Sequence, residues 1–209
     1  QTHTYNKKFY FVVLRAEDGG LVTNQGLKIE HAGGQLFHSP DQVFFTKHNS
    51  VVFTFYAIAT FKNFHVAKFN VATESFDFYL EHTDSKAAVS TALTVGDWDD
   101  GSGKFHIYIG GCSEMPNWGM DLLMVPSDNP SATKRWKIQI GGAWSDKDTT
   151  PTINFMKFET KDGIDYLFGS TRNYDFAKVT QVYFWRLVLK ADDHSIDEAT
   201  NAIEIWQLN

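Results

Sequence analysis

The feature that most limits how this chain can fold is a unit of four short apolar segments that occurs three times. Each segment is rich in β-branched and aromatic residues, and asparagine, aspartate and glycine recur between the segments. That pattern is typical of strands joined by turns, and helical periodicity is nearly absent. The three units cover residues from about 40–84, 87–142 and 150–209, while residues 1–35 supply only a third and a fourth strand. We therefore predict an all-β chain of three full units and a half unit.

Four-stranded antiparallel units in series resemble the blades of a β-propeller, at the level of the fold and over nearly the whole chain. The resemblance implies a single domain over residues 1–209, with a half blade at 1–35 followed by three full blades. A β-sandwich or jelly roll is the alternative, since it also uses many short strands. The repeat favours the propeller, because a sandwich has no reason to repeat a four-strand unit.

The half blade leaves an unpaired edge, which a closed ring has to complete. Three options remain. The first is that residues 1–8 and 35–40 hold the missing strands. The second is that a second chain or homo-oligomer completes the ring, and the third is a compact ring with one thin blade. The second option predicts a structural subunit that completes a propeller with a partner chain.

In a propeller the loops that join the second strand to the third, and the fourth to the next first, form the usual ligand-binding face. These loops gather aromatic, amide, guanidinium and carboxylate groups, which suit the C–H faces and hydroxyls of sugars. The candidate ligand-binding residues are Asn63, Glu114, Asn117, Trp118, Trp144, Asp146, Arg172, Asn173, Tyr174 and Asp175. We predict a non-catalytic, lectin-like protein that binds carbohydrate or another protein through this face. The alternatives are that the tryptophans pack between blades and that Arg172 pairs with Asp175.

An enzyme of the glycosidase-like hydrolase class is the rival hypothesis. Paired carboxylates would carry that chemistry, and the candidates are Glu114, Asp146, Asp148 and Asp175. The sequence contains no nucleophile elbow, zinc-protease, phosphate-loop or dinucleotide motif, and its histidines lack metal-ligand spacing. We predict no catalytic residues, so a binding role is favoured over catalysis.

The stretch DWDDGSG at residues 97–103 has two interpretations. Asp97, Asp99 and Asp100 are candidate oxygen ligands for Ca²⁺, the one cofactor considered. An EF-hand-like loop would require an acidic or amide residue where Gly101 stands, together with a distant bidentate glutamate. A hairpin turn between the first two strands of a unit is therefore favoured.

Charge and composition bound the partners and the location. The formal net charge is −6 and there is no basic patch, which disfavours nucleic acid. No apolar run of about 18 residues occurs, so no membrane span is predicted. The sequence begins at Gln1 without a methionine, which indicates processing and predicts a secreted, extracellular protein. Cys112 is the single cysteine, so it is either a buried thiol or a bridge to another chain.

Overall fold

The computed structural model describes the chain in twelve segments. These are residues 7–11, 14–21, 27–31, 42–48, 51–59, 63–83, 87–97, 104–113, 120–138, 149–175, 181–201 and 204–208. The strands within them are Lys7–Phe11 (β1), Leu27–His31 (β2), Gln42–His48 (β3), Val51–Ala59 (β4), Asn63–Asn70 (β5), Ser75–Thr83 (β6), Ala87–Asp97 (β7), Phe105–Ser113 (β8), Met120–Pro126 (β9), Lys134–Ile138 (β10), Thr149–Lys161 (β11), Ile164–Asp175 (β12), Gln181–Val188 (β13) and Glu204–Leu208 (β14). Within these segments no helix has the length and apolar character needed to cross a membrane.

Twelve of the described strands form three antiparallel sheets, each with its strands in chain order. The first sheet contains β3–β6, the second β7–β10 and the third β11–β14, while β1 and β2 pair in a separate two-stranded ribbon. The prediction of an all-β chain is therefore confirmed, in the form of three four-stranded antiparallel sheets.

The second sheet is buried on both faces, because successive residues of a strand point to opposite sides. Along β8, Tyr108 packs with residues of the third sheet, whereas Ile107 and Ile109 pack with residues of the first sheet. Strand β9 alternates in the same way, with Met124 facing the third sheet and Val125 facing the first. The three sheets are thus stacked face to face in chain order.

The connections from first to second strand are hairpins, as the turn residues predict. Between β11 and β12 the two-residue loop is Asp162–Gly163, with φ values of +52° and +76°. Both residues have positive φ, which is the requirement of the type I′ turn that matches strand twist. In the second sheet the last pair of the β7–β8 ladder is Asp97 with Phe105, so DWDDGSG joins the two strands of a hairpin.

An eight-residue segment with a recurrent turn lies at or within the connection from third to fourth strand, at residues 14–21, 69–76 and 189–196. The sixth residue has positive φ in each turn: Gly19 (+69°), Glu74 (+49°) and His194 (+55°). The first and last copies also share two backbone hydrogen bonds, from the second residue to the seventh carbonyl and from the sixth residue to the second carbonyl. This shared geometry relates the N-terminal half unit to the third unit.

The second and third sheets approach closely at Gly110 of β8. A Cβ at this position would lie 2.8 Å from Cδ1 and 2.9 Å from Cβ of Ile153 in β11. We expect Gly110→Ala to lower the free energy of unfolding by about 1–2 kcal/mol, because Ile153 is buried and must shift. Urea denaturation measures this loss, and Ile153→Val should recover part of it. An unchanged midpoint would contradict the close approach.

Candidate functional site

Eight of the residues singled out from the sequence lie outside the described residues. They are Asp99, Asp100, Glu114, Asn117, Trp118, Trp144, Asp146 and Asp148. Asp97 is the last residue of β7. The proposed ligand-binding and Ca²⁺-binding roles of these residues stay predictions. Among the side chains that the structure does describe, no three His, Cys, Asp or Glu come together as a metal-binding group.

Five further candidates were predicted in loops, but the structure places them in strands. Asn63 begins β5, and Arg172, Asn173, Tyr174 and Asp175 form the end of β12. The loop prediction was wrong because the β11–β12 ladder continues to its last pair, Thr149 with Asp175, and keeps this segment extended. The four β12 residues nevertheless lie at the end of the third sheet where its second and third strands connect, which is the predicted ligand-binding face. Their ligand-binding role also stays a prediction.

An open cleft of about 480 Å³ lies at the opposite end of the strands, between the second and third sheets. Its lining comes from the start of β8, the end of β9, the start of β10 and the connections β9–β10 and β13–β14. It consists of Lys104, His106, Met124, Pro126, Asp128, Asn129, Ala132, Lys134, Asp192, Asp193 and His194. We call this feature the histidine cleft. It brings seven titratable side chains together around one cavity.

The β9–β10 connection forms one wall of the cleft because it departs from the eight-residue turn. Pro130 begins a single 3₁₀ turn, Pro130–Ala132, at the position where proline's missing N–H is tolerated. The hydroxyl of Thr133 donates a 2.7 Å hydrogen bond to the carbonyl of Pro130. Before this turn, Oγ of Ser127 accepts a 3.1 Å hydrogen bond from the N–H of Phe105. These contacts fix Asp128 and Asn129 at the mouth of the cleft.

His194 forms the other wall and occupies a conformation that side chains rarely adopt. Its φ of +55° costs a non-glycine residue about 1 kcal/mol or more. Asp165 lies 3.1 Å from Nδ1 of His194, and the hydroxyl of Tyr108 donates a 2.8 Å hydrogen bond to the His194 carbonyl. The Tyr108 contact joins the second sheet to the third, whereas the Asp165 contact ties the β13–β14 turn to β12 of its own sheet. Together they hold the imidazole beside His106, with ring centroids 5.7 Å apart.

Burial sets the protonation of His106 in the cleft and of Tyr108 beneath it. Burial is the main cause that lowers the pKa of His106 from 6.5 to about 4, and the neighbouring His194 lowers it further. Burial also raises the pKa of the Tyr108 hydroxyl, which does not line the cleft, well above its ordinary value. At neutral pH the cleft therefore contains an uncharged His106 imidazole, and the phenol that holds the His194 carbonyl is uncharged as well.

Two of the three carboxylates at the rim are each held by a lysine. The Lys104 ammonium lies 2.9 Å from Asp128, and its hydrogen bond is the main cause that lowers the pKa of Asp128. Burial raises the pKa of Asp193, but hydrogen bonds from Lys134, 2.6 Å away, and from Ser195 outweigh burial and lower the pKa. With Asp192, the rim carries two lysines and three aspartates, a formal net charge of −1 when the histidines are left out.

A smaller hollow of about 290 Å³ adjoins the cleft on the other side of Lys134. Trp136 lies in this hollow, where its indole N–H donates a 2.8 Å hydrogen bond to Glu198. The lining also includes Arg135 and Lys190. An aromatic ring thus lies beside a series of charged donors and acceptors.

Sequence reasoning missed the histidine cleft, although the sequence contains one signal for it. The segments LRAEDGGL (14–21) and LKADDHSI (189–196) align without gaps, and His194 stands where Gly19 supplies the positive φ. A histidine in a glycine position would have marked the β13–β14 turn as a place to search. No signal in the local sequence links that turn to His106, which is 88 residues earlier.

No protein-family model, no curated protein and no solved structure matches the chain.

Proposed function

We propose that the chain is a non-catalytic, ligand-binding β-propeller protein, and that the histidine cleft takes a neutral, polyhydroxylated ligand of the carbohydrate class. The face-to-face stacking of three four-stranded sheets supports the propeller, because propeller blades pack in this way. The proposal also includes a single domain over the whole chain and an extracellular location.

The observation that carries the proposal is the pairing of charges around the cleft. Lys104 is bonded to Asp128 and Lys134 to Asp193. An anionic ligand would have to displace a carboxylate from one of these lysines, whereas a hydroxyl group donates to the carboxylate and accepts from the ammonium at the same time. Ala132 is exposed and adds an apolar group to the lining.

We expect binding of a neutral glycan that depends on the cleft. A glycan array identifies the ligand, and titration calorimetry with that glycan measures its affinity. Asp128→Ala and Lys104→Ala should each weaken binding by about tenfold, since a hydrogen bond to a charged group contributes about 1.5 kcal/mol or more. Both side chains are well exposed, so the fold should tolerate either change.

The control is Arg15→Ala, which breaks the exposed pair of Arg15 with Glu74, 3.5 Å apart, away from the cleft. This variant should bind with unchanged affinity. Loss of binding in Arg172→Ala and Asn173→Ala, with no loss in the two cleft variants, would move the site to the face predicted from the sequence. A protein that binds no neutral glycan would contradict the proposed ligand class.

A hydrolase is the second candidate, because the Asp165–His194 hydrogen bond is an arrangement that holds an imidazole for general-base catalysis. This candidate requires release of reducing sugar from the glycan that binds. A turnover abolished by Asp165→Asn would favour the hydrolase, whereas intact glycan recovered after long incubation favours the binding protein.

A further inference from the structure

The third sheet exposes a face rich in aromatic residues on the side away from the second sheet. Leu167 and Trp185 point into the interface with the second sheet. Because side chains alternate along a strand, their neighbours point outward. We call this outward side the aromatic face; it includes Phe155, Lys157, Glu159, Ile164, Tyr166, Phe168, Ser170, Phe184, Arg186 and Val188.

Three large hydrophobic side chains of this face are open to solvent in the isolated chain. The exposed fractions are 50% for Phe155, 40% for Phe184 and 44% for Ile164. Ser170 lies between Phe155 and Phe184 in the strand register, and it is small and buried. The two phenyl rings therefore flank the small Ser170 side chain, and Ile164 is exposed at the start of the same strand, β12.

Composition marks this face as an interface rather than an ordinary solvated surface. The guanidinium of Arg186 lies 5.1 Å from the centre of the Tyr166 ring, a cation–π contact. Aromatic residues and arginine are the types enriched where proteins associate. The face also continues the stack, since both faces of the adjacent second sheet are covered by other sheets.

The arrangement of the face is self-complementary. Along the sheet, the row of Lys157, Phe168 and Arg186 is followed by the row of Glu159, Tyr166 and Val188. Consider a two-fold axis in the plane of the face that runs between these two rows, perpendicular to the strands. This axis places the first row of one copy opposite the second row of the other copy. Lys157 and Glu159 of one chain form an ion pair, with Nζ 3.1 Å from Oε2, and the axis sets this pair against the same pair of the second copy in reversed order. Phe168 then faces the second copy's Tyr166.

The same axis sets Ile164 of one copy against Ser170 of the other. The isoleucine therefore lies over the small Ser170 side chain, between the two phenyl rings, and all three exposed hydrophobic side chains lie within the contact. We propose that the aromatic face binds a second copy of this chain in a two-fold symmetric dimer. Such a contact is isologous, so it closes at two copies and does not grow into a fibre.

Sedimentation velocity of the full chain, from about 1 to about 100 µM, tests the dimer by mass action. Phe184→Glu and Ile164→Glu should each raise the dimer dissociation constant by tenfold or more, because each buries a charge in the contact. The matched control is Val71→Glu, which changes another exposed apolar residue, in the β5–β6 turn. This control should leave the dissociation constant unchanged, and circular dichroism should report a folded protein for all three variants.

Charge exchange tests the register of the two copies. Lys157→Glu and Glu159→Lys should each weaken the dimer of their own kind, because four like charges then meet across the axis. A mixture of the two variants should form a heterodimer, because the acidic row of one copy then faces the basic row of the other, and this recovery does not depend on the Lys157–Glu159 pair within a chain. A monomer over the whole concentration range would overturn the proposal. A dimer that neither Phe184→Glu nor Ile164→Glu weakens would also overturn it.

The dimer does not depend on the histidine cleft, which lies against the opposite face of the third sheet. A wild-type protein that is monomeric and binds glycan would therefore overturn the dimer and leave the proposed function standing.

Discussion

Gly169→Ala is expected to lower the free energy of unfolding by about 3 kcal/mol, since overpacking a tight core costs this much when its neighbours cannot yield. Gly169 lies opposite Trp185 in the β12–β13 ladder. A Cβ at Gly169 would lie 2.1 Å from Cζ2 and 2.4 Å from Cη2 of the indole. The ring cannot move aside easily, because its N–H donates a buried 2.8 Å hydrogen bond to the Thr171 hydroxyl. Trp185 is also only 2% exposed, at the interface between the second and third sheets.

Urea denaturation followed by far-ultraviolet circular dichroism measures this loss without relying on the tryptophan signal. Gly163→Ala is the matched control, because a Cβ there has no atom within 4 Å. Its positive φ still costs alanine about 1 kcal/mol, so the control separates backbone strain from the clash with the ring. In a Trp185→Leu background, Gly169→Ala should cost less, with a coupling free energy of about 1 kcal/mol or more. Equal costs in both backgrounds would contradict the assigned contact.

The sequence was sufficient to predict the strands but not the role of their glycines. Strand existence follows from local alternation and from turn chemistry such as Asp162–Gly163, which act within a few residues. Gly169 and Gly110, by contrast, accommodate side chains from another strand and another sheet. Which residue they face depends on the register and on the packing of sheets, and a single strand does not encode either.

The candidate site illustrates the same limit on a longer scale. His106, Asp165 and His194 come from the second sheet, the third sheet and the β13–β14 turn, and the packing of the two sheets brings them together. The sequence predicted that polar loops gather at the ends of the strands. It could not predict at which end of the strands the cleft forms. The cleft depends on the β9–β10 connection, which lacks the recurrent turn, and on the contact of Tyr108 with His194 between two sheets.

The burial of His106 has a consequence for stability, because the folded protein resists protonation of this imidazole. Its pKa is about 4 in the folded state, against an ordinary 6.5 when the chain is unfolded. Between these two values the unfolded chain binds a proton that the folded chain does not bind, so the free energy of unfolding falls as the pH falls. The shift corresponds to a loss of about 3 kcal/mol at most between pH 7 and pH 4.

Other groups around the imidazole act in a different range of pH or with smaller effect. His194 and Lys134 lower the pKa of His106, while Asp128 and Asp193 raise it. The two aspartates have lowered pKa values themselves, so their own contribution to stability is present above their unfolded pKa and is lost only as the pH falls through about 4 and below. The decline between pH 6.5 and pH 4.5 therefore reports mainly on histidine.

The variant His106→Gln keeps a polar side chain but cannot titrate, so it isolates this contribution from that of the other seven histidines. Urea denaturation at pH 7.0 and at pH 4.5 gives the change in free energy of unfolding for each protein. The wild-type protein should lose about 2 kcal/mol more than the variant over this interval, since most of the window between the two pKa values is then crossed. The difference between the two proteins in this loss decides the outcome. A variant whose stability declines as steeply as that of the wild type would show that His106 accepts a proton in the folded state as easily as in the unfolded chain. Its imidazole would then not be held in the desolvated position between the second and third sheets on which the geometry of the cleft depends.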